Sequence, residues 1–149
     1  MPDWNSFIRG FDYDLWANTQ WRNCLLGKQM PSPDIEIFAH IFSATQIWLS
    51  RVNGESLTAF PEIEPNESEI ARLHKGWTDA LHVATDDRIV NYRRTNGEQL
   101  SLALSEIAHQ VLNHATYHRG ELRGLCLARN DDDFPETDYA AFAIMNPLA

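Results

Sequence analysis

The sequence predicts an all-α protein, a four-helix bundle with a small β-hairpin between helices 3 and 4 and a short C-terminal helix. Three observations predict it. Four long stretches repeat apolar residues at helical spacing. The breaks between them carry Gly, Pro, Asn or Asp, residues that stop helices and form turns. A chain of 149 residues with 44% hydrophobic content fills one core but not two, so residues 1–149 form a single domain.

The first helix follows from Trp4, Phe7, Ile8, Phe11 and Leu15, an i, i+3, i+4, i+7 stripe that continues to about residue 26, where Gly27 offers a stop. Pro31, Ser32, Pro33 and Asp34 mark the next boundary. Ser32 is suited to cap and Pro33 to the first helical position, which predicts a second helix over about 33–52. Asn53 and Gly54 close it, and Pro61 and Pro65 keep the following connection irregular. Ile70, Leu73, Trp77 and Leu81 predict a third helix over about 67–85, ended by Asp86 and Asp87. Ile89 to Tyr92 and Thr95 to Glu98 suggest two short strands joined at Asn96-Gly97, a pair that tolerates positive φ. Leu104, Ile107, Ala108, Val111, Ala115, Leu122 and Leu125 then predict a long fourth helix over about 101–128. Asn130 to Asp133 break it, and a short helical piece follows Pro135 and Glu136.

Charge and composition exclude several function classes. Twelve basic against 21 acidic residues give a formal charge of -9, so the surface repels phosphate backbones and nucleic acid is not an expected partner. No stretch approaches the roughly 20 apolar residues of a membrane span. The opening Met1-Pro2-Asp3-Trp4 lacks the basic-then-apolar pattern of a secretory leader, which suggests a cytoplasmic location. Cys24 and Cys126 are far apart and form no CxxC pair, so they read as free thiols. Five tryptophans and seven phenylalanines exceed what one small core is expected to bury, which points to a homodimer.

Chemistry concentrates in the six histidines. His114 and His118 are four apart on the fourth helix, so their side chains differ by about 40° in direction and about 6 Å in height. Both turn toward the apolar stripe of Ala115 and Leu122, and imidazoles placed there need partners. The plain reading is two core histidines satisfied by hydrogen bonds; the sharper one is a shared divalent metal ion. A third ligand must come from another helix. His40, on one face with Ile37, Ala44 and Trp48, is the first choice and His74 the second. His109, five residues before His114, points about 140° away from it and suits packing instead. Glu121 shares the face of both paired histidines and is open to ligation, to orienting a ligand, to acting as a base, or to simple solvation.

Two known helical metal motifs are set aside. Ala115, Thr116 and Tyr117 between the paired histidines lack the glutamate of HExxH proteases. Di-iron bundles need two Glu-x-x-His units, and only Glu106 with His109 matches.

The chain resembles the DinB-like metalloprotein family of damage-inducible four-helix bundles, over nearly its whole length. The resemblance rests on residues 11–18 (FDYDLWAN), 40–52 (HIFSATQIWLSRV), 109–122 (HQVLNHATYHRGEL) and 135–142 (PETDYAAF). It implies that a histidine of the second helix and the two of the HxxxHRG segment, here His40, His114 and His118, bind a divalent metal. It also implies a hairpin before the last long helix. One departure stands out: the residue after HRG, most often glutamine in the family, is Glu121 here.

Three neutral histidines leave a four-coordinate ion with one open place, the arrangement of a catalytic site. The expectation is therefore a metal-dependent enzyme. Its ion would lower the pKa of water to about 7 for hydrolysis, or stabilise a thiolate for transfer to an electrophile. Thiol-dependent transferases are part of what the resemblance implies, with a small diffusible thiol as cosubstrate. Zinc or nickel leads among the metals, with iron as a further candidate. In this reading Glu121 is the catalytic base or a supporting partner, and Asn113, Tyr117 and Arg119 are candidate neighbours of a small-molecule substrate. The alternative expectation is a non-catalytic metal- or ligand-binding stress-response protein.

Overall fold

Helix α1 (Trp4–Leu26) begins where the Asp3 carboxylate accepts a hydrogen bond from the Ser6 amide at 3.2 Å, and its expected bounds hold. The structure is a computed structural model and describes residues 1–29 and 31–149, with Ser32 described for its backbone alone. Helix α2 (Ser32–Val52) starts one residue earlier than expected, with Pro31 at its boundary, and the capping expected of the Ser32 side chain lies outside the described residues. Helix α3 (Glu67–His82) is capped by Asn66, which accepts from the Glu69 amide at 2.8 Å.

Two further expected boundaries shift, each for its own reason. α3 ends at His82 and does not reach residue 85, because Leu81 is its last buried residue and Val83 is already 78% exposed. The chain then turns so that Asp87 accepts from both the amide and the hydroxyl of Ser105, at 2.8 and 2.6 Å, in the first turn of the next helix. Between them lie β1 (Ile89–Arg93) and β2 (Gln99–Ala103), antiparallel with Ile89 opposite Ala103, joined through Gly97 at φ +88°. Helix α4 (Leu104–Ala128) therefore starts at 104 and not near 101, since pairing with β1 claims the three residues before it.

The four long helices form a ring in the order α1, α3, α2, α4, with each packed on the next and α4 returning to α1. α1 and α2 are diagonal, as are α3 and α4. This ring order puts α2 beside α4, which positions the site. The interior is closed by Ile41, Trp77, Leu81, Ile107, Ala115 and Leu122, all fully buried. The rings of Phe11 and Trp77 stack at 5.0 Å, and the Trp77 indole donates to the Thr45 carbonyl at 3.2 Å. The hairpin leans on α2 through Tyr92, whose ring meets Trp48 at 5.2 Å while the Arg51 guanidinium lies against both rings. The short C-terminal helix α5 (Tyr139–Met145) buries Phe142 against Tyr13 on α1.

The core holds the aromatic residues better than the sequence suggested. Of the five tryptophans and seven phenylalanines, Phe60 alone is exposed, so the surplus that motivated a homodimer is absent within one chain. No helix among the described residues is long and apolar enough to cross a membrane.

Candidate metal centre

The pairing of α2 with α4 carries His40 across to His114 and His118. Ring centroids are 4.9 Å apart for His40 and His114, 5.0 Å for His40 and His118, and 4.5 Å for His114 and His118. One ring nitrogen from each lies within 4.8 Å of the other two, a group that could hold a metal ion. The Nε2 atoms of His114 and His118 are already 3.2 Å apart. Two nitrogens bound tetrahedrally at zinc distances of about 2.0–2.1 Å stand about 3.3 Å apart. The α4 pair thus has the required spacing, and the contraction left to the group is at most about 1.5 Å, within reach of side-chain rotation.

Glu121 settles how His118 is oriented. Its carboxylate Oε1 lies 2.9 Å from His118 Nδ1, one turn along the same helix. A carboxylate only accepts at neutral pH, so Nδ1 carries the proton, and the lone pair of Nε2 is turned toward His114 and His40. A glutamate three residues on was the one available sequence signal for this contact.

Electrostatics keep the cluster ready for a cation. Burial, reinforced by the neighbouring His118 and His40, lowers the His114 pKa to about 4. His40 is lowered too, first by burial and then by His118, with Glu121 opposing the shift. Both imidazoles are therefore neutral at pH 7, the state that donates a lone pair. The unfolded chain takes up these protons below about 6.5 while the folded chain resists, so acidification favours unfolding. For metal-free protein, stability is expected to be flat above about pH 7 and to fall by about 1–2 kcal/mol as pH drops toward 4, after discounting for the solvent contact of the rings. Urea unfolding at pH 7.5 and 5, compared with His114→Gln, checks this; an equal slope in the variant would remove the assignment.

The other sequence candidates go elsewhere. His74 on α3 is bonded to Asp12 Oδ1 at 2.8 Å and faces α1, so the second-choice ligand is out of reach. His109 packs edge-on against the Phe7 ring at 4.7 Å, the packing role expected of it. Tyr117 does border the cluster, with its ring 5.1 Å from that of His118. Arg119 does not: it is 3% exposed and binds Asp14 at 2.6 Å, Asn18 at 2.8 Å and Thr116 at 3.2 Å, fastening α4 to α1. Asn113 lines a separate groove of about 640 Å³ between α1, α4 and the segment before α5. One residue of α4 is about 100° of rotation, so neighbours of the histidines in sequence face other helices.

The sequence reading missed Asp14 and Asn18, which Arg119 and their mutual bond of 3.2 Å tie into one buried polar cluster. It also missed Asp34, 1% exposed and held by both terminal nitrogens of Arg129 at 3.1 and 2.7 Å.

Fold and cluster together define a helical-bundle protein with a three-histidine group able to hold a metal ion. The chain is similar to Protein DinB of Bacillus subtilis (strain 168), at 23% identity over 159 residues, spanning 91% of this chain and 92% of that protein. That similarity supports a DinB-like relationship. No family model and no solved structure matches the chain.

Proposed function

We propose that this protein binds one divalent metal ion through His40, His114 and His118 and uses it as an enzyme acting on a small molecule, as a thiol-dependent transferase or a hydrolase. The observation that carries the reading is the convergence of three imidazole nitrogens, from two helices far apart in sequence, to within 4.8 Å. Borderline nitrogen donors suit zinc or nickel first and iron next. A divalent ion at such a site is a Lewis acid toward water or a thiol. The protein's own part is to hold His114 neutral by burial and to fix His118 through Glu121.

In this reading Glu121 is a positioning residue, supported by its 2.9 Å contact with the ring nitrogen that faces away from the cluster. Glu121→Ala is expected to weaken metal affinity about 10–100-fold, with Glu121→Gln closer to wild type because its carbonyl still accepts the Nδ1 proton. Competition titration against a chromophoric chelator reads the difference; unchanged affinity in Glu121→Ala would remove the role.

The proposal is tested by metal analysis of protein prepared without a histidine tag, followed by assays of the loaded protein with thiol plus electrophile and with ester and amide panels. About one equivalent of metal with turnover in either assay is the expected result. One equivalent with silence in both would favour the binding-protein alternative. Less than about a tenth of an equivalent, given how tightly three-histidine sites hold zinc, would overturn the metal reading itself.

A further inference from the structure

We infer that the proposed metal centre takes a ligand whose donor atom carries a flat apolar group and no further charge, the apolar group resting on the exposed rings of Phe60 or Tyr117 that border the cluster. The inference rests on the metal reading above and names the substrate class of that site.

This chain leaves few aromatic rings in water. Among seven phenylalanines, five tryptophans and four tyrosines, three are exposed: Phe60 at 52%, Tyr117 at 72% and Tyr139 at 47%. Tyr139 is accounted for, since its hydroxyl accepts from Arg9 at 3.2 Å and its ring packs on Tyr13 at 5.2 Å. The other two both lie against histidines of the cluster. Phe60 meets the His40 ring at 5.9 Å, and Tyr117 meets the His118 ring at 5.1 Å. With His40 and His118 5.0 Å apart, the four rings form a continuous series, Phe60, His40, His118, Tyr117.

Exposed rings gain little from water, and an aromatic face held beside a polar centre is the usual build of a small-molecule site. Phe60 comes from the connection between α2 and α3, and Tyr117 from α4, so two separate segments each set an aromatic ring against a histidine of the cluster. Glu121, 45% exposed beside His118, offsets part of the charge of a divalent ion, and the whole chain carries -9, so an anionic group on the ligand beyond the donor atom is disfavoured.

The test uses full-length protein loaded with Co²⁺, whose visible spectrum reports both occupancy and each donor that joins the ion. Three thiols serve as probes: ethanethiol, 2-phenylethanethiol and 3-mercaptopropanoate. Wild type is expected to bind 2-phenylethanethiol at least about tenfold tighter than ethanethiol, and 3-mercaptopropanoate no tighter than ethanethiol. In Phe60→Ala/Tyr117→Ala the phenyl preference should fall to within about threefold while Co²⁺ still binds stoichiometrically. Both residues are exposed, so the variant is expected to keep its unfolding midpoint. Stoichiometric Co²⁺ with no phenyl preference, with a preference that survives the double variant, or with tighter binding of the carboxylate probe overturns this inference alone. Failure of Co²⁺ to bind at the histidines overturns it together with the metal reading.

Discussion

Asp14→Ala is expected to destabilise the protein by about 3–5 kcal/mol, the largest single effect outside the apolar core. The reason lies in what the substitution leaves behind. Arg119 is 3% exposed, and Asp14 is the one carboxylate it contacts among the described residues, at 2.6 Å. With that carboxylate gone, a buried guanidinium keeps two neutral acceptors, Asn18 and Thr116, and its Nε is without a partner in any case. Removing half of a buried pair costs more than the pair contributes, because the remaining charge stays desolvated. Asp14→Asn should fall between wild type and Asp14→Ala, and Asp14→Leu/Arg119→Met should recover much of the loss. Urea unfolding measures all three; at 149 residues the loss in Asp14→Ala corresponds to a fall of about 10 °C in Tm. A cost below about 1 kcal/mol, or a double variant as unstable as the single, would show that the cluster is not what joins α1 to α4.

That cluster also marks where sequence reasoning stopped. Phe11, Asp14, Asn18 and Trp21 fall at i, i+3, i+7 and i+10, so two polar residues lie on a stripe that is otherwise buried. The pattern was visible, but its meaning depends on a partner 105 residues away in Asp14's case, and no local rule supplies that. The metal cluster divides in the same way. His114 and His118 were legible because their geometry is that of one helix turn. His40 was the first choice over His74 from its helix face and from the resemblance, but the packing reason was not legible, since both lie on helices of suitable pattern. Ring order decides it: α2 is adjacent to α4 and α3 is diagonal to it, so His40 reaches the pair and His74 turns to Asp12. The start of α4 moved for a related reason. The helical reading took in residues 101–103, and pairing with Ile89–Arg93 places them in a strand.

His114→Ala is expected to lower metal affinity by more than about a hundredfold, beyond the 10–100-fold that losing an outer partner such as Glu121 produces. His114 is the centre of the group by two measures. Its Nε2 makes the 3.2 Å contact with His118, and burial holds its pKa furthest down, to about 4, so it keeps its lone pair under conditions where an exposed histidine is protonated. Without it, His40 and His118 remain with ring centroids 5.0 Å apart, a two-histidine site on a wet surface. His40→Ala and His118→Ala should lose affinity to a comparable degree, whereas His74→Ala and His109→Ala, whose rings bond Asp12 and pack on Phe7, should leave it unchanged. The stability readout runs the opposite way. His114→Ala removes a half-buried imidazole that the fold keeps neutral in acid while the unfolded chain protonates it, so metal-free variant protein should unfold less readily at pH 5 relative to pH 7.5 than wild type does. Calorimetric titration with Zn²⁺ and Ni²⁺ across the five variants separates the two effects. Equal loss in His74→Ala and His114→Ala would show that binding is a diffuse property of the histidines and not of this convergence.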